Sequence, residues 1–220
     1  MALCDFLINA DIAGYDCENP MPKGAEAYGL LINRSDIDYS ESVWDGDFNL
    51  SPLKCKCWKA GYRVTQSGKT PFNGTQQELV EGANVNTITN TIQIVVLKQD
   101  KNWAEQLFAL MNGEFVAVLP NKNGTYQVYG YEAGLHCTGA VRELYNDDNL
   151  SGWQITLVEE GATKGNIFIS RANYYDLDVL QYCEDDTENA PTNYSRPNAP
   201  EDYDGDSDNY QPRPSEPYGG

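Results

Sequence analysis

The chain has 220 residues and a formal net charge of −18, from 33 acidic and 15 basic residues. Its length suits one domain of ordinary size with an appendage. Such an acidic protein repels nucleic-acid phosphates, which argues against a function that depends on gripping DNA or RNA. The acidity is spread along the chain, because residues 184–220 account for only −8 of the total.

The first residues of the chain and its cysteine count indicate the cellular compartment in which the protein is made. The first residues lack a basic region and Asp5 interrupts their apolar stretch, which is not typical of a secretory signal peptide. No run approaches the roughly 18 apolar residues of a membrane helix. Six cysteines are too few for a disulfide framework in a chain of this length. We therefore expect free thiols in a protein made in a reducing cytoplasm.

Strand patterns dominate the chain, in short apolar or alternating runs separated by turn residues. These runs cover residues 28–33, 87–97, 114–119, 125–131, 135–144 and 152–160. Short connections such as "PNKNG" and "EAG" favour antiparallel hairpins between the later strands. The pattern predicts a mainly β fold, an antiparallel β-sandwich or barrel.

One amphipathic helix is predicted over residues 100–114, beside this β structure. Its apolar face comprises Trp103, Leu107, Leu110 and Met111, and it would cover one face of the sheet. A second candidate lies at residues 172–183, where aromatic and β-branched residues compete with helix.

The sequence divides into a structural domain, residues 1–183, and an acidic C-terminal arm, residues 184–220. Within the domain, residues 41–85 are rich in Gly, Ser, Asn and Lys, which predicts a long loop or extended hairpin that reaches a neighbouring subunit. The arm contains six of the eleven prolines and few aliphatic residues, so it cannot form a core alone. Its tyrosines are the natural anchors on a partner: Tyr194, Tyr203, Tyr210 and Tyr218.

Candidate catalytic motifs fail on geometry or spacing. His136, the only histidine, and Cys137 would point to opposite faces of a strand, so they cannot form a dyad. The "SGKT" sequence at 67–70 has Arg63 where a phosphate-binding loop requires its first glycine. No carboxylate lies in an apolar setting that would suit acid–base chemistry. We therefore expect that the protein is not an enzyme.

Candidate metal motifs are also incomplete. Cys55 and Cys57 could supply half of a zinc site on one strand face, but no second pair has matching spacing, and buried cysteines are the alternative. The "EDYDGDSDNY" stretch, 201–210, has aspartates at alternate positions like a calcium loop. Counted from Asp202, however, Ser207 and Arg213 replace the required glycine and glutamate. We expect no metal and no cofactor.

Two stretches resemble a protein family. They are "CENPMPKGAEAYGLLINRSDID" (17–38) and "LFALMNGEFVAVLPNKNGTYQVYGYEAGLHCTGAVRELYNDDNLSGWQITLVEEG" (107–161). They are similar to virion structural proteins from phages of Bacteroidetes hosts, crAss-like phages included. These proteins are tail-tube, neck or ring components of the DNA-ejection apparatus. The resemblance covers about a third of the chain, and its motifs are structural.

The resemblance implies a subunit of a homo-oligomeric ring or tube, in six or twelve copies, that contacts other tail, neck or portal proteins. Such a protein would be located in the virion, after assembly in the host cytoplasm. DNA would pass through an acidic lumen without specific binding, and no membrane would be involved. The long loop and the C-terminal arm would contact neighbouring subunits.

The alternative function is a β-sandwich module that binds a surface or a glycan, as in a fibre or adhesin. Trp44, Trp58 and Tyr62 would form its stacking platform. The same aromatic residues are also compatible with a loop core or a subunit interface. Together with Phe72 and the four tyrosines of the arm, they are the predicted interface residues.

Overall fold

The computed structural model describes residues 24–66, 70–83, 85–96, 101–143 and 152–181. These residues form ten strands and two α-helices. The strands are β1 (Tyr28–Asn33), β2 (Asn49–Leu50), β3 (Tyr62–Thr65), β4 (Gln76–Val80), β5 (Thr87–Val96), β6 (Glu114–Pro120), β7 (Tyr126–Tyr129), β8 (Leu135–Glu143), β9 (Gly152–Ala162) and β10 (Ile167–Ile169). The helices are α1 (Lys101–Asn112) and α2 (Arg171–Leu177).

The mainly β fold is confirmed, and each of the six predicted strands is present. The segment 41–85, predicted as a long loop or extended hairpin, contains β2, β3 and β4, which pair with other strands and not with one another. These strands are only two to five residues long and mostly exposed, so they lack the apolar alternation by which longer strands are recognised.

All ten strands belong to one continuous mixed sheet that does not close into a barrel. Its main path runs β2-β10-β7-β6-β8-β9-β5-β4, and β1 pairs with both β6 and β3 outside this path. Every strand pair is antiparallel except the pair of β10 with β2. Strand β6 pairs with β8 through Glu114 and Phe115, and with β7 from Ala117 onward. The sheet therefore divides into two halves at β6.

Two apolar cores lie on opposite faces of β1 and β6. Leu30 and Val118 belong to a core that α2 and the segment around Leu50 help to build. Leu31 and Ala117, the alternate residues, belong to a second core. This second core also takes inward side chains from β5 and β9, among them Ile92, Ile94, Ile155 and Leu157. The two halves of the sheet therefore face each other, as in an open sandwich.

Helix α1 confirms the helix predicted over 100–114. Trp103 and Leu107 are buried in the second core, whereas Met111, predicted on the same face, is about half exposed. The second candidate, predicted over 172–183, is present only as the shorter helix α2, where the Ser170 hydroxyl accepts a hydrogen bond from the backbone N–H of Asn173. This N-cap and the burial of Tyr174 and Leu177 offset the weak helix propensity of the aromatic residues.

Candidate functional site

The outward side of β8, β9, β5 and β4 carries a central patch of uncharged side chains, and Glu78 of β4 and Glu160 of β9 lie at the margins of this side. We define this outer face by ten residues: His136, Gly139, Val141, Gln154, Thr156, Val158, Thr91, Gln93, Val95 and Gln76. They alternate with inward residues such as Ile155 and Leu157 and lie side by side in register. The Gln154 amide donates a 2.9 Å hydrogen bond to Gln93 across two strands. The ten residues of the outer face thus carry no formal charge, on a chain with a net charge of −18.

Exposed apolar side chains lie on the outer face and beyond it. Val141 is 58% exposed and Val95 is 43% exposed. The sheet ends at β4, which pairs only with β5 among the residues that the structure describes. Leu79 of this edge strand is 66% exposed. An open edge next to an uncharged face is a typical place for contact with another chain.

A groove of about 1060 Å³ lies between β3, the end of β5 and α1. Its walls include Leu31, Val64, Trp103 and Leu110, and the exposed Tyr62 also lines it. At one end of the groove, the Gln66 side chain accepts a hydrogen bond from the Val95 N–H and donates one to the Val95 carbonyl. The Gln66 side-chain amide thus makes the two hydrogen bonds to β5 that a neighbouring strand would otherwise make. It also links the two halves of the sheet.

A buried carboxylate fixes the loop that joins β7 to β8. Glu159 is 2% exposed and accepts hydrogen bonds from the backbone N–H groups of Gly130, Glu132 and Ala133. Gly130 has a φ of +82°, and a Cβ there would lie 2.5 Å from the carbonyl oxygen of Phe115. Only glycine fits this turn, because both the φ and the contact exclude a side chain. Glu159 is not among the site residues predicted from the sequence, because a lone glutamate in a strand normally faces solvent.

The predicted interface residues are not brought together. Trp58 and Phe72 are 8% and 4% exposed, so their rings form part of the protein's own interior and not an exposed platform. Both have positive φ values, which bulky residues rarely adopt. Trp44 is half-buried, with the Lys164 ammonium 3.6 Å from its ring centroid. Among the predicted interface residues that the structure describes, Tyr62 is the exposed one, at 63%.

The tyrosines of the arm, at 194, 203, 210 and 218, lie outside the described residues, as does the aspartate-rich stretch 201–210. The expected contacts of the arm therefore remain predictions.

Within the described ranges, no group of three or more acidic, histidine or cysteine side chains is arranged to hold a metal ion.

The expectation that all thiols are free is wrong for Cys57, which is disulfide-bonded. Cys55 and Cys137 are free, so the partner of Cys57 lies outside the described residues. Burial, with a smaller contribution from nearby Asp36, raises the pKa of the Cys55 thiol to about 12. The Cys55 thiol therefore stays protonated at neutral pH, and the disulfide at Cys57 removes the pair of thiols that was predicted as half of a zinc site.

His136 and Cys137 lie as their alternation predicts. His136 is exposed, whereas Cys137 packs against the second core, so the two side chains cannot act together.

No helix in the described parts of the chain is long and apolar enough to cross a membrane.

Comparisons with protein-family models, with curated proteins and with solved structures found no match to this chain.

Proposed function

We propose that this protein is a bacteriophage virion structural protein that forms a ring or tube segment of the neck or tail conduit for DNA. The observation that carries the proposal is the uncharged outer face beside the open edge of β4. The resemblance of residues 17–38 and 107–161 to phage ring components supplies the particular assembly.

Charge explains why assembly would use this face. Two copies of a chain with a net charge of −18 repel each other, and the repulsion is smallest where the facing surfaces carry no charge. Exposed Val95 and Val141 would add apolar burial, at about 25 cal/mol per Å². The remaining acidic surface would then face the exterior and the lumen. DNA would pass through the acidic lumen without binding.

The edge strand favours a head-to-tail contact. Glu78 lies at the centre of β4, so two copies of β4 paired antiparallel about that residue would place like charges opposite each other. A contact between different surfaces of two subunits avoids this repulsion. Such heterologous contacts close into rings when the rotation between subunits allows it.

The first test is the mass of the purified protein by native mass spectrometry, followed by negative-stain images. We expect closed rings or stacked tubes of six or twelve copies. The double variant Val95→Glu/Val141→Glu should remain monomeric, because it introduces charge into the outer face. The matched control is Val43→Glu/Val179→Glu, at valines that are also exposed but lie elsewhere, and it should assemble normally. A face variant that assembles like the wild-type protein would contradict the proposal.

Truncation after Cys183 tests the role of the C-terminal arm. We expect residues 1–183 to fold but to assemble poorly, because the tyrosines of the arm would no longer anchor it on a neighbouring subunit or on a tail, neck or portal protein. Circular dichroism reports folding and native mass spectrometry reports assembly. Normal assembly of the truncated chain would show that the arm is not needed for subunit contacts.

A further inference from the structure

The sheet has three terminal strands, β2, β3 and β4, and two of them have an open edge. Strand β2 is covered, because Trp44 forms an antiparallel bridge with Leu50. Among the residues that the structure describes, β3 pairs only with β1, and β4 pairs only with β5. These two open edges match in length, with four residues in β3 and five in β4. Open edges of this kind pair readily with a strand of another chain.

The open edge of β3 presents backbone groups to its surroundings. The Gln66 N–H donates a 2.7 Å hydrogen bond to the Ala27 carbonyl, so the next residue back, Thr65, has its backbone groups directed away from β1. The Thr65 carbonyl accordingly accepts a hydrogen bond from the Gln66 side chain and not from β1. The outer side of Thr65 is therefore a position where an added strand would bond.

The open edge of β4 follows from the same alternation. The Val95 backbone bonds to Gln66, so its polar groups point to the side of β5 that lies away from β9. Alternation along β5 then directs the Thr89 backbone toward its partner Glu78 in β4. The next residue of β4, Leu79, has its N–H and C=O directed outward, away from β5.

The side chains of the two edges match when neighbouring copies of the sheet face the same way. Tyr62 lies on the face of the second core, as its partner Leu31 does, and Arg63 lies on the opposite face. On β4, Leu79 lies on the core side, and Glu78 lies on the outward side. A second copy that continues the sheet with this facing brings exposed Leu79 to exposed Tyr62, and Glu78 to Arg63.

Charge favours this pairing over the reversed facing and over two copies of the β4 edge. Opposite charges on neighbouring strands stabilise the pair, whereas two β4 strands place Glu78 against Glu78. The Arg63 side chain binds Asp178 within its own subunit but is still 54% exposed, so its charge also acts on a carboxylate of an incoming strand. The reversed facing would place Glu78 against the apolar ring of Tyr62.

We propose that the β4 edge of one subunit pairs with the β3 edge of the next, so that the sheet continues from copy to copy. This inference rests on the proposed function, because a ring or tube repeats one contact between two different edges. The paired segments would be Gln76–Val80 of one copy and Tyr62–Thr65 of its neighbour.

Proline variants of the full chain test which edges meet. Thr65→Pro and Leu79→Pro each remove one outward N–H and keep the hydrogen bonds to β1 and β5. Each variant alone should lose ring formation in native mass spectrometry. A 1:1 mixture, with one variant labelled with ¹⁵N, should form heterodimers. The β4 edge of the Thr65→Pro protein is intact and pairs with the intact β3 edge of the Leu79→Pro protein.

The matched controls are Thr65→Val and Leu79→Ile, which keep the backbone N–H and should form rings like the wild-type protein. Circular dichroism checks that all four variants are folded. Dimers of Thr65→Pro alone would indicate contacts between two β4 edges and would overturn the inference, as would rings of either proline variant. A wild-type protein that stays monomeric would instead contradict the proposed function itself, and the inference would fall with it.

Disulfide formation gives a second readout that does not depend on proline. In mixed rings of a Leu79→Cys protein with Tyr62→Cys or Val64→Cys, mild oxidation should link residue 79 of one copy to residue 62 or 64 of another. The control mixture, Leu79→Cys with Val43→Cys, should give no link between those residues, because the exposed Val43 lies away from both edges. Rings in which neither 62 nor 64 links to 79 would show that other surfaces meet.

Discussion

Asn90 and Glu159 lie opposite each other on β5 and β9, and the Asn90 side-chain amide donates a 2.7 Å hydrogen bond to the Glu159 carboxylate. Both side chains are buried. The same carboxylate accepts the backbone N–H groups of the loop after β7. One buried pair thus connects the β5–β9 half of the sheet to the β6–β7 half.

Replacement of Glu159 by alanine should lower the free energy of unfolding by about 3 kcal/mol or more. The substitution leaves the Asn90 amide and three backbone N–H groups without their acceptor, and an unsatisfied buried donor costs about 1–3 kcal/mol. Urea denaturation measures the loss. The neighbouring Glu160→Ala is the matched control, because Glu160 is exposed and its loss should change stability by less than about 0.5 kcal/mol. Equal effects of the two substitutions would contradict the role of the Glu159 network.

Replacement of Gln66 by methionine should expose the edge of β5 locally. The Val95 N–H and C=O would both lose their partner, at a cost of about 1–3 kcal/mol. Hydrogen exchange should become faster at the Val95 amide, whereas Ile94, which lies opposite Ile155, should stay protected. Gln106→Met, on the α1 side of the same groove, is the control. Unchanged protection of Val95 would show that the Gln66 side chain is not what satisfies this edge.

Alkaline pH should destabilise the fold through Tyr129. Burial raises the pKa of its phenol from 10.0 to about 12, so the unfolded chain loses this proton before the folded protein does. The stability contributed by the neutral phenol is therefore complete below pH 10 and is lost as the pH rises toward 12, by about 3 kcal/mol in all.

Tyr129→Phe removes this titration, so its free energy of unfolding should fall less between pH 10 and 12 than that of the wild-type protein. Urea denaturation at several pH values gives the comparison. Tyr62→Phe, at an exposed ring, should follow the wild-type profile. A Tyr129→Phe profile that also matches the wild type would rule out this phenol as a cause of alkaline destabilisation.

The partner of Cys57 is expected to be Cys183. The Gln181 carbonyl accepts a hydrogen bond from the Trp58 N–H, and the Gln181 N–H donates to the Lys59 carbonyl. Gln181 therefore lies beside the residues that follow Cys57, and it comes two residues before Cys183 in the sequence. A non-reducing digest analysed by mass spectrometry should therefore contain a peptide that links residues 57 and 183. A link from Cys57 to Cys4 or Cys17 would contradict this assignment.

Reduction of the wild-type protein should then lower the free energy of unfolding by about 2–4 kcal/mol, as for other disulfides that close long loops. The Cys57→Ser variant serves as the control, because a reductant should have no further effect on its stability. A similar effect of the reductant on both proteins would indicate that another disulfide is responsible.

The sequence determined the mainly β class, the six longer strands and helix α1. In these elements, apolar residues that face the core recur with the period of a strand or a helix. In β5, for example, Ile92 and Ile94 alternate with polar residues. The edge strands β3 and β4 lack this pattern because nearly all of their residues are exposed. Their positions depend on pairing with β1 and β5, and such pairing is not encoded in a short segment alone.

Only the tertiary structure decided which side chains meet. Glu159, an ordinary strand glutamate in the sequence, is buried because a loop from another part of the chain supplies its donors. Trp58 and Phe72, exposed candidates by their loop-like surroundings, are buried by contacts with distant residues. The uncharged outer face likewise exists only when β8, β9 and β5 lie in register. Periodicity follows from neighbours along the chain, whereas these sites follow from contacts between residues far apart in sequence.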